Sequence, residues 1–305
     1  MNIGLAFNDE KRFWTVGSYV LKELSKQPEI NLSGHARIPE DTGMWEEQCG
    51  LNVDLIIVID DGFSHFKLHH HKGKFPKKTK TCIWLSDLHQ QSWAAWRLQM
   101  IREFKYDHVF YAQKNFRKQV EDCVYEFGKS CSWLPHAADP EIFKPMPQIE
   151  KKYDIGYVGY LNEKRIKVAK VLEELVRFKH FSSIWAWSAA RAINECKVGF
   201  NMSVEPTDNC NMRFFETMSC GIPLLTNYDP DNGMEEILGT NIEDKVLIYR
   251  NEAELKEKVV RLIASSELRR VLAERARNHF LAFHTYRNRT NTILGTMGFE
   301  LLRSF

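Results

Sequence analysis

Apolar positions along the chain fall into two patterns. Short unbroken runs at 2–7, 53–59, 81–85, 109–111 and 132–134 read as strands buried on both faces. Between them, 16–24, 93–104 and 116–127 carry apolar residues at helical spacing. Strands alternating with helices predict a doubly wound domain around a parallel sheet. The alternation resumes at Tyr153 with the strand YDIGYV, then Gly159, then a helix whose apolar positions are Ile166, Ala169, Leu172 and Val176. Further strands are expected at 183–187, 198–202, 224–226 and 245–249. Helices are expected at 211–219, 252–264 and 268–283. The stretch ADPEIFKPMPQIEKKY between the two series holds three prolines and a charged run, so the domain joint belongs there. Two domains also suit 305 residues at ~100–200 per domain.

Composition narrows the classes. Hydrophobic content of 44%, charged content of 27% and a net charge of +2 are those of an ordinary globular protein, with no overall pull toward nucleic acid or acidic membrane. The opening MNIGLAFNDEKR meets acidic residues too soon for a secretory signal. No apolar run approaches the ~18 residues of a membrane span. Seven cysteines without a Cys-x-x-Cys pair fit reduced thiols. A soluble, cytoplasmic protein is expected.

Three candidate chemistries fall away. Between Asn8 and Val16, where a dinucleotide-binding enzyme places G-x-G-x-x-G, there is no glycine. The loop KLHHHKGKFPKKTK is strongly basic, but Lys77, Lys78 and Lys80 directly precede a strand, at the sheet edge away from a ligand crevice. Adjacent His69, His70 and His71 lack the spacing of a metal site, and Asp229-x-Asp231 is too short to trust as one. Asp231 or Asn232 reads instead as the N-cap of a helix beginning near Gly233.

The most informative stretch is DNCNMRFFETMSCGIPLLTN, residues 208–227. Met212, Phe215 and Met218 form an apolar stripe, Gly221 stops the helix, and Pro223 bars its continuation. Asn211, Arg213 and Glu216 are polar at its start, and Arg213 and Glu216, three apart, share a face. By themselves these two make a surface ion pair as readily as a binding site.

The whole string resembles the donor-site signature of GT-B glycosyltransferases, which have two Rossmann-like domains. More narrowly it resembles the CgeB-like (spore-maturation) transferases, related to the family-4-type retaining enzymes. Their pattern, Asn-x-Arg-x-x-Glu-x-x-x-Cys-Gly before a Leu-Thr strand, is met by Asn211, Arg213, Glu216, Cys220, Gly221, Leu225 and Thr226. LPHAADPEIFKP, with His136, and the closing run with His284, Thr285, Tyr286 and Arg289 follow the same family. In the related transferases two acidic residues separated by seven others act on the nucleotide sugar. Glu216 matches the second, and Asp208 stands where the first is usually Glu. The resemblance runs from about residue 132 onward; the earlier part matches only in outline.

That resemblance implies a GT-B α/β fold of two doubly wound domains. An acceptor domain would occupy 1–140, a nucleotide-sugar domain 141–285, and a terminal helix, 286–305, would cross back to the first domain. The activity implied is transfer from a nucleotide-diphosphate sugar, a UDP-sugar in the first instance, to an acceptor hydroxyl on a saccharide, protein or other molecule. Retention of configuration, no metal and no further cofactor are expected. The donor-binding candidates are Gly159, Lys164, Arg165, Trp187, Asn211, Arg213 and Glu216; the catalytic candidates are Asp87 and His136, each following an apolar strand. A non-catalytic sugar-nucleotide binder and a GT-B epimerase would use the same donor residues.

Overall fold

The computed structural model describes residues 1–7, 14–35, 52–60, 75–85, 91–203, 210–228 and 233–303. The chain divides into two units, Met1–Pro135 with Tyr286–Phe305, and His136–Thr285.

The first unit is built on a six-stranded parallel sheet, with β1 (Asn2–Ala6), β2 (Asn31–His35), β3 (Leu55–Asp60), β4 (Lys80–Leu85), β5 (His108–Tyr111) and β6 (Ser130–Trp133) in the order β2-β1-β3-β4-β5-β6. β3 is buried along its whole length and β4 everywhere but at Lys80, the pattern of strands covered on both faces. Helices α1 (Val16–Ser25), α2 (Gln91–Phe104) and α3 (Arg117–Tyr125) connect them. A 3-10 turn, Lys114–Phe116, takes the start of the third expected helix. Asp60, the last residue of β3, is fully buried and pairs with the equally buried Arg97 of α2. Lys80 donates from Nζ to the Met297 carbonyl at 2.8 Å. With Lys78 it borders a groove shared with His108 and Ser130, at the edge where β4–β6 begin.

The second unit has a five-stranded parallel sheet in the order β11-β10-β9-β7-β8. Its strands are β7 (Tyr153–Val158), β8 (Phe178–Phe181), β9 (Cys196–Asn201), β10 (Leu224–Asn227) and β11 (Leu247–Tyr249). The chain reverses its direction of travel across the sheet between β7 and β9. Crevices outside the C-terminal ends of strands at such a reversal are where α/β sheets bind ligands. The helices are α4 (Glu163–Leu175), α5 (Ala186–Asn194), α6 (Met212–Ser219), α7 (Met234–Leu238), α8 (Glu252–Ala264) and α9 (Ser266–Phe283). One face of the sheet buries Ile155, Val198, Phe200 and Leu225 against Leu255, Val259 and Leu262 of α8. The other receives α6 so closely that a Cβ at Gly199 would lie 2.4 Å from Thr217 Cγ2.

The last helix, α10 (Tyr286–Thr296), belongs to the first unit. Tyr286 stacks on Tyr19 of α1 with ring centroids 4.6 Å apart. Arg289 donates from Nε to the Pro135 carbonyl at 2.7 Å. Burial pulls that guanidinium down to about 10.

Several sequence expectations are corrected. The strand expected at 183–187 is instead β8, at Phe178–Phe181, followed by a turn and the start of α5. The last strand of the second unit is only Leu247–Tyr249, because a 3-10 turn, Ile242–Asp244, precedes it. Gly233, in the left-handed region, is the residue that precedes α7, with no side-chain cap; Asp229, Asp231 and Asn232 lie outside the described residues, as do His69, His70 and His71.

His108 holds Ser130 Oγ at 2.8 Å through Nδ1 and Ser132 Oγ at 2.9 Å through Nε2, tying β5 to β6. Burial pulls its imidazole below the ordinary 6.5. The unfolded chain therefore binds the extra proton first, and folding stability is lost as pH falls below about 6.5. The melting temperature is expected to drop between pH 7.5 and 5.5. The drop should be smaller in His108→Gln, as followed by circular dichroism.

Candidate functional site

Helix α6 is buried from Phe214 to Ser219, leaving only its first turn partly exposed. Its start is fixed by Asn211, whose side chain accepts from the Phe214 N–H at 3.3 Å. Its end is fixed by Gly221, at φ 65°, in the left-handed region where a side chain is strained. The Ser219 hydroxyl donates to the Phe143 carbonyl, and Arg277 Nε donates to the Ser219 carbonyl at 3.3 Å.

Into this buried helix the sequence places Glu216. Its side chain is 2% exposed and pairs with Arg213, which is 21% exposed. Burial pushes the Glu216 carboxyl above its ordinary range, and the Arg213 charge and hydrogen bond pull it back part of the way. Arg213 also donates from Nη2 to the Ile184 carbonyl at 3.4 Å. The surface-pair alternative is thereby excluded for Glu216. The carboxylate is held inside, against a guanidinium that is partly exposed.

A second set gathers where β7 meets α4. The Gly159 N–H donates to the Phe181 carbonyl at 3.0 Å, and its own carbonyl lies 2.7 Å from His180 Nε2. That amide is therefore spent on the sheet. Asn162 caps α4, accepting from the Arg165 N–H at 3.0 Å. Arg165 is buried: Nε and Nη2 donate to the Met202 carbonyl at 3.1 and 2.8 Å, and Nη1 to the Tyr160 carbonyl at 3.1 Å. It thus ties the loop after β7 to the end of β9, across the sheet reversal. Lys164 is exposed in the first turn of α4, where a helix carries roughly half a positive charge.

Trp187 is not at a strand end. It lies in the first turn of α5, with Lys144 Nζ 5.6 Å from its ring centroid. It lines a groove of about 560 Å³ with Gln148, Glu150 and Lys152, which precede β7. Trp185, which follows Ile184 in the chain, is half exposed. His136 is nearly buried at the start of the second unit. Asp87 and Asp208 lie outside the described residues. The structure brings Asn211, Arg213 and Glu216 together on α6, and Gly159, Lys164 and Arg165 at the β7–α4 junction. Among the described residues no three His, Cys, Asp or Glu side chains converge as metal ligands. No described helix is long and apolar enough to cross a membrane.

Residues 144–295 match a protein family described as "Glycosyl transferase-like". Three solved structures align with the chain almost end to end. Sucrose-phosphate synthase from Thermosynechococcus elongatus covers 97% of this chain and 98% of its own at a TM-score of 0.63 and 10% identity. Anabaena HepE in complex with UDP-glucose covers 97% and 99% at 0.59 and 12%. A glycosyltransferase from Rickettsia africae covers 97% of each at 0.58 and 9%. The fold is GT-B. No curated protein matches the chain by sequence. The matched stretch of this GT-B chain contains both residue sets, and Asp87 and His136 precede it.

Arg165 is expected to act on stability first. Arg165→Met removes three hydrogen bonds from a charged group to the Met202 and Tyr160 carbonyls, each worth ~1.5–3 kcal/mol but not additive. Unfolding in guanidinium should show a loss of roughly 2–4 kcal/mol. An unchanged midpoint would mean the clamp does not form.

Proposed function

We propose that the chain is a glycosyltransferase that moves a sugar from a UDP-sugar to an acceptor hydroxyl, with retention and without a metal ion. One observation carries this reading: the buried Glu216 held by Arg213 in the first turns of α6. Arg213 in turn reaches the Ile184 carbonyl, in the turn after β8. HepE, with the same fold, is known in complex with UDP-glucose, which supports a nucleotide-sugar donor.

The roles follow from charge and reach. Glu216 accepts hydrogen bonds from the ribose hydroxyls of the donor and fixes its register. Arg213 and the exposed Lys164 meet the diphosphate, whose negative charge grows as it leaves. Preorganised donors at such a point are worth ~10²–10³ in rate each. Arg165 and Gly159 shape the loop that presents Lys164, Asn211 holds the helix start, and Trp185 offers the base a stacking face. The bond between the anomeric carbon and the phosphate oxygen breaks, and its electron pair leaves with UDP. The acceptor oxygen bonds to the anomeric carbon. Under retention its proton passes to the departing phosphate oxygen; under inversion His136 or Asp87 would take it.

A thermal-shift panel with UDP-, GDP- and TDP-sugars tests the donor class, since an occupied site raises the melting point by mass action. UDP-sugars should give the largest shifts. Slow release of UDP, enhanced by acceptor and unaffected by EDTA, is expected of a transferase. Binding without release would favour a sugar-nucleotide binder, and an isomerised sugar would favour an epimerase.

Glu216→Gln keeps the shape and loses the charge. It should raise the dissociation constant for UDP about tenfold or more, at ~1.4 kcal/mol per decade. Arg213→Lys keeps the charge but loses the fork that meets phosphate oxygens in pairs, and should also weaken binding. Calorimetric titration of both variants decides. Wild-type affinity in both would place the donor elsewhere.

A further inference from the structure

Asn201 is the last residue of β9, and Thr226 is one residue from the end of β10; the two are register partners across that strand pair. They share the face of the sheet that carries Gly199, the face packed by Thr217 of α6. Asn201 is 1% exposed and Thr226 is fully buried. Yet Asn201 Nδ2, Asn201 Oδ1 and Thr226 Oγ1 have no hydrogen-bond partner. Buried polar side-chain atoms are partnered in the large majority of cases, and an orphan is costly. Here three sit side by side. They lie at the C-terminal edge of the sheet, on β9 and its neighbour, next to the reversal where such sheets receive ligands.

The chemistry of the pair says what it suits. A carboxamide and a hydroxyl are neutral, and each can both donate and accept. A diphosphate calls for cations, which Arg213 and Lys164 supply; a neutral donor–acceptor pair matches another hydroxyl. We infer that Asn201 and Thr226 hydrogen-bond a hydroxyl of the donor's sugar and select for it, an inference that rests on the donor-site reading above. Their burial is the source of the selectivity. A closed site built to hydrogen-bond a hydroxyl rejects an analogue lacking it, because its own polar groups are then left unpaired. Both are specificity-determining residues; neither is required for the departure of the nucleoside diphosphate.

The test compares UDP with the best-binding UDP-sugar of the thermal-shift panel, by calorimetric titration of Thr226→Val, Asn201→Leu and Thr226→Ser. In Thr226→Val and Asn201→Leu the dissociation constant for UDP should stay at the wild-type value. That for the UDP-sugar should rise about tenfold. Because the apolar isosteres remove orphaned atoms, their melting temperatures should equal or exceed that of the wild type. Thr226→Ser, which keeps the hydroxyl, should keep the wild-type ratio of the two constants and serves if the valine variant does not fold. An unchanged ratio in both apolar variants overturns the inference. A lowered melting temperature with an unchanged ratio also overturns it, and assigns the pair to an internal water. Wild-type protein that binds no UDP at all defeats the donor-site reading itself.

Discussion

A carboxylate on a helix buried beyond its first turn sets the terms for the rest of the second unit. Glu216 can be buried only because Arg213, one turn earlier, lies against it. Removing one partner of such a pair typically costs ~3–5 kcal/mol, while replacing both by apolar residues is often neutral or better. Stability alone therefore gives little reason for the pair. What surrounds it holds α6 in place. Asn211 fixes the first turn, Gly221 allows the turn that follows, Gly199 lets Thr217 press onto the sheet, and Ser219 is tied to Phe143.

The reversal between β7 and β9 supplies the second constraint. A parallel sheet turns its C-terminal ends toward one edge, and the loops leaving β7 and β9 part there. Arg165 bridges them through the Tyr160 and Met202 carbonyls. Three of its five N–H groups are taken up by these two carbonyls.

How much could be read from the sequence depended on burial. Strands covered on both faces announce themselves as unbroken apolar runs, and β1, β3, β4 and β9 fall within two residues of their expected ends. The helix α8 coincides with its expected span. Two of the four edge strands, β2 and β8, did not show. In β2, Asn-Leu-Ser-Gly-His is polar because it pairs on one side only, with β1. In β8, Phe-Lys-His-Phe is likewise an edge, paired only with β7, and the more apolar Ile184–Trp187 drew the strand away from it. That slip placed Trp187 at a strand end, whereas it lies in the first turn of α5. The Asn211, Arg213 and Glu216 set was legible because it matches the Asn-x-Arg-x-x-Glu pattern of the resembled transferases, and helical spacing brings Arg213 and Glu216 together. The Asn201 and Thr226 pair was not, since its adjacency comes from strand register between segments 25 residues apart.

The first unit is discontinuous in sequence: Tyr286, Arg289 and Met297 are among the residues that close it. A ribosome adding ~5–20 residues per second must make the second unit, about 150 residues, before those closing contacts exist. For roughly eight to thirty seconds the nascent first unit waits with the α1 surface around Tyr19 uncovered. The unit begun first is thus completed last. A premature stop just before Tyr286 would spare every residue of the second unit and damage the first.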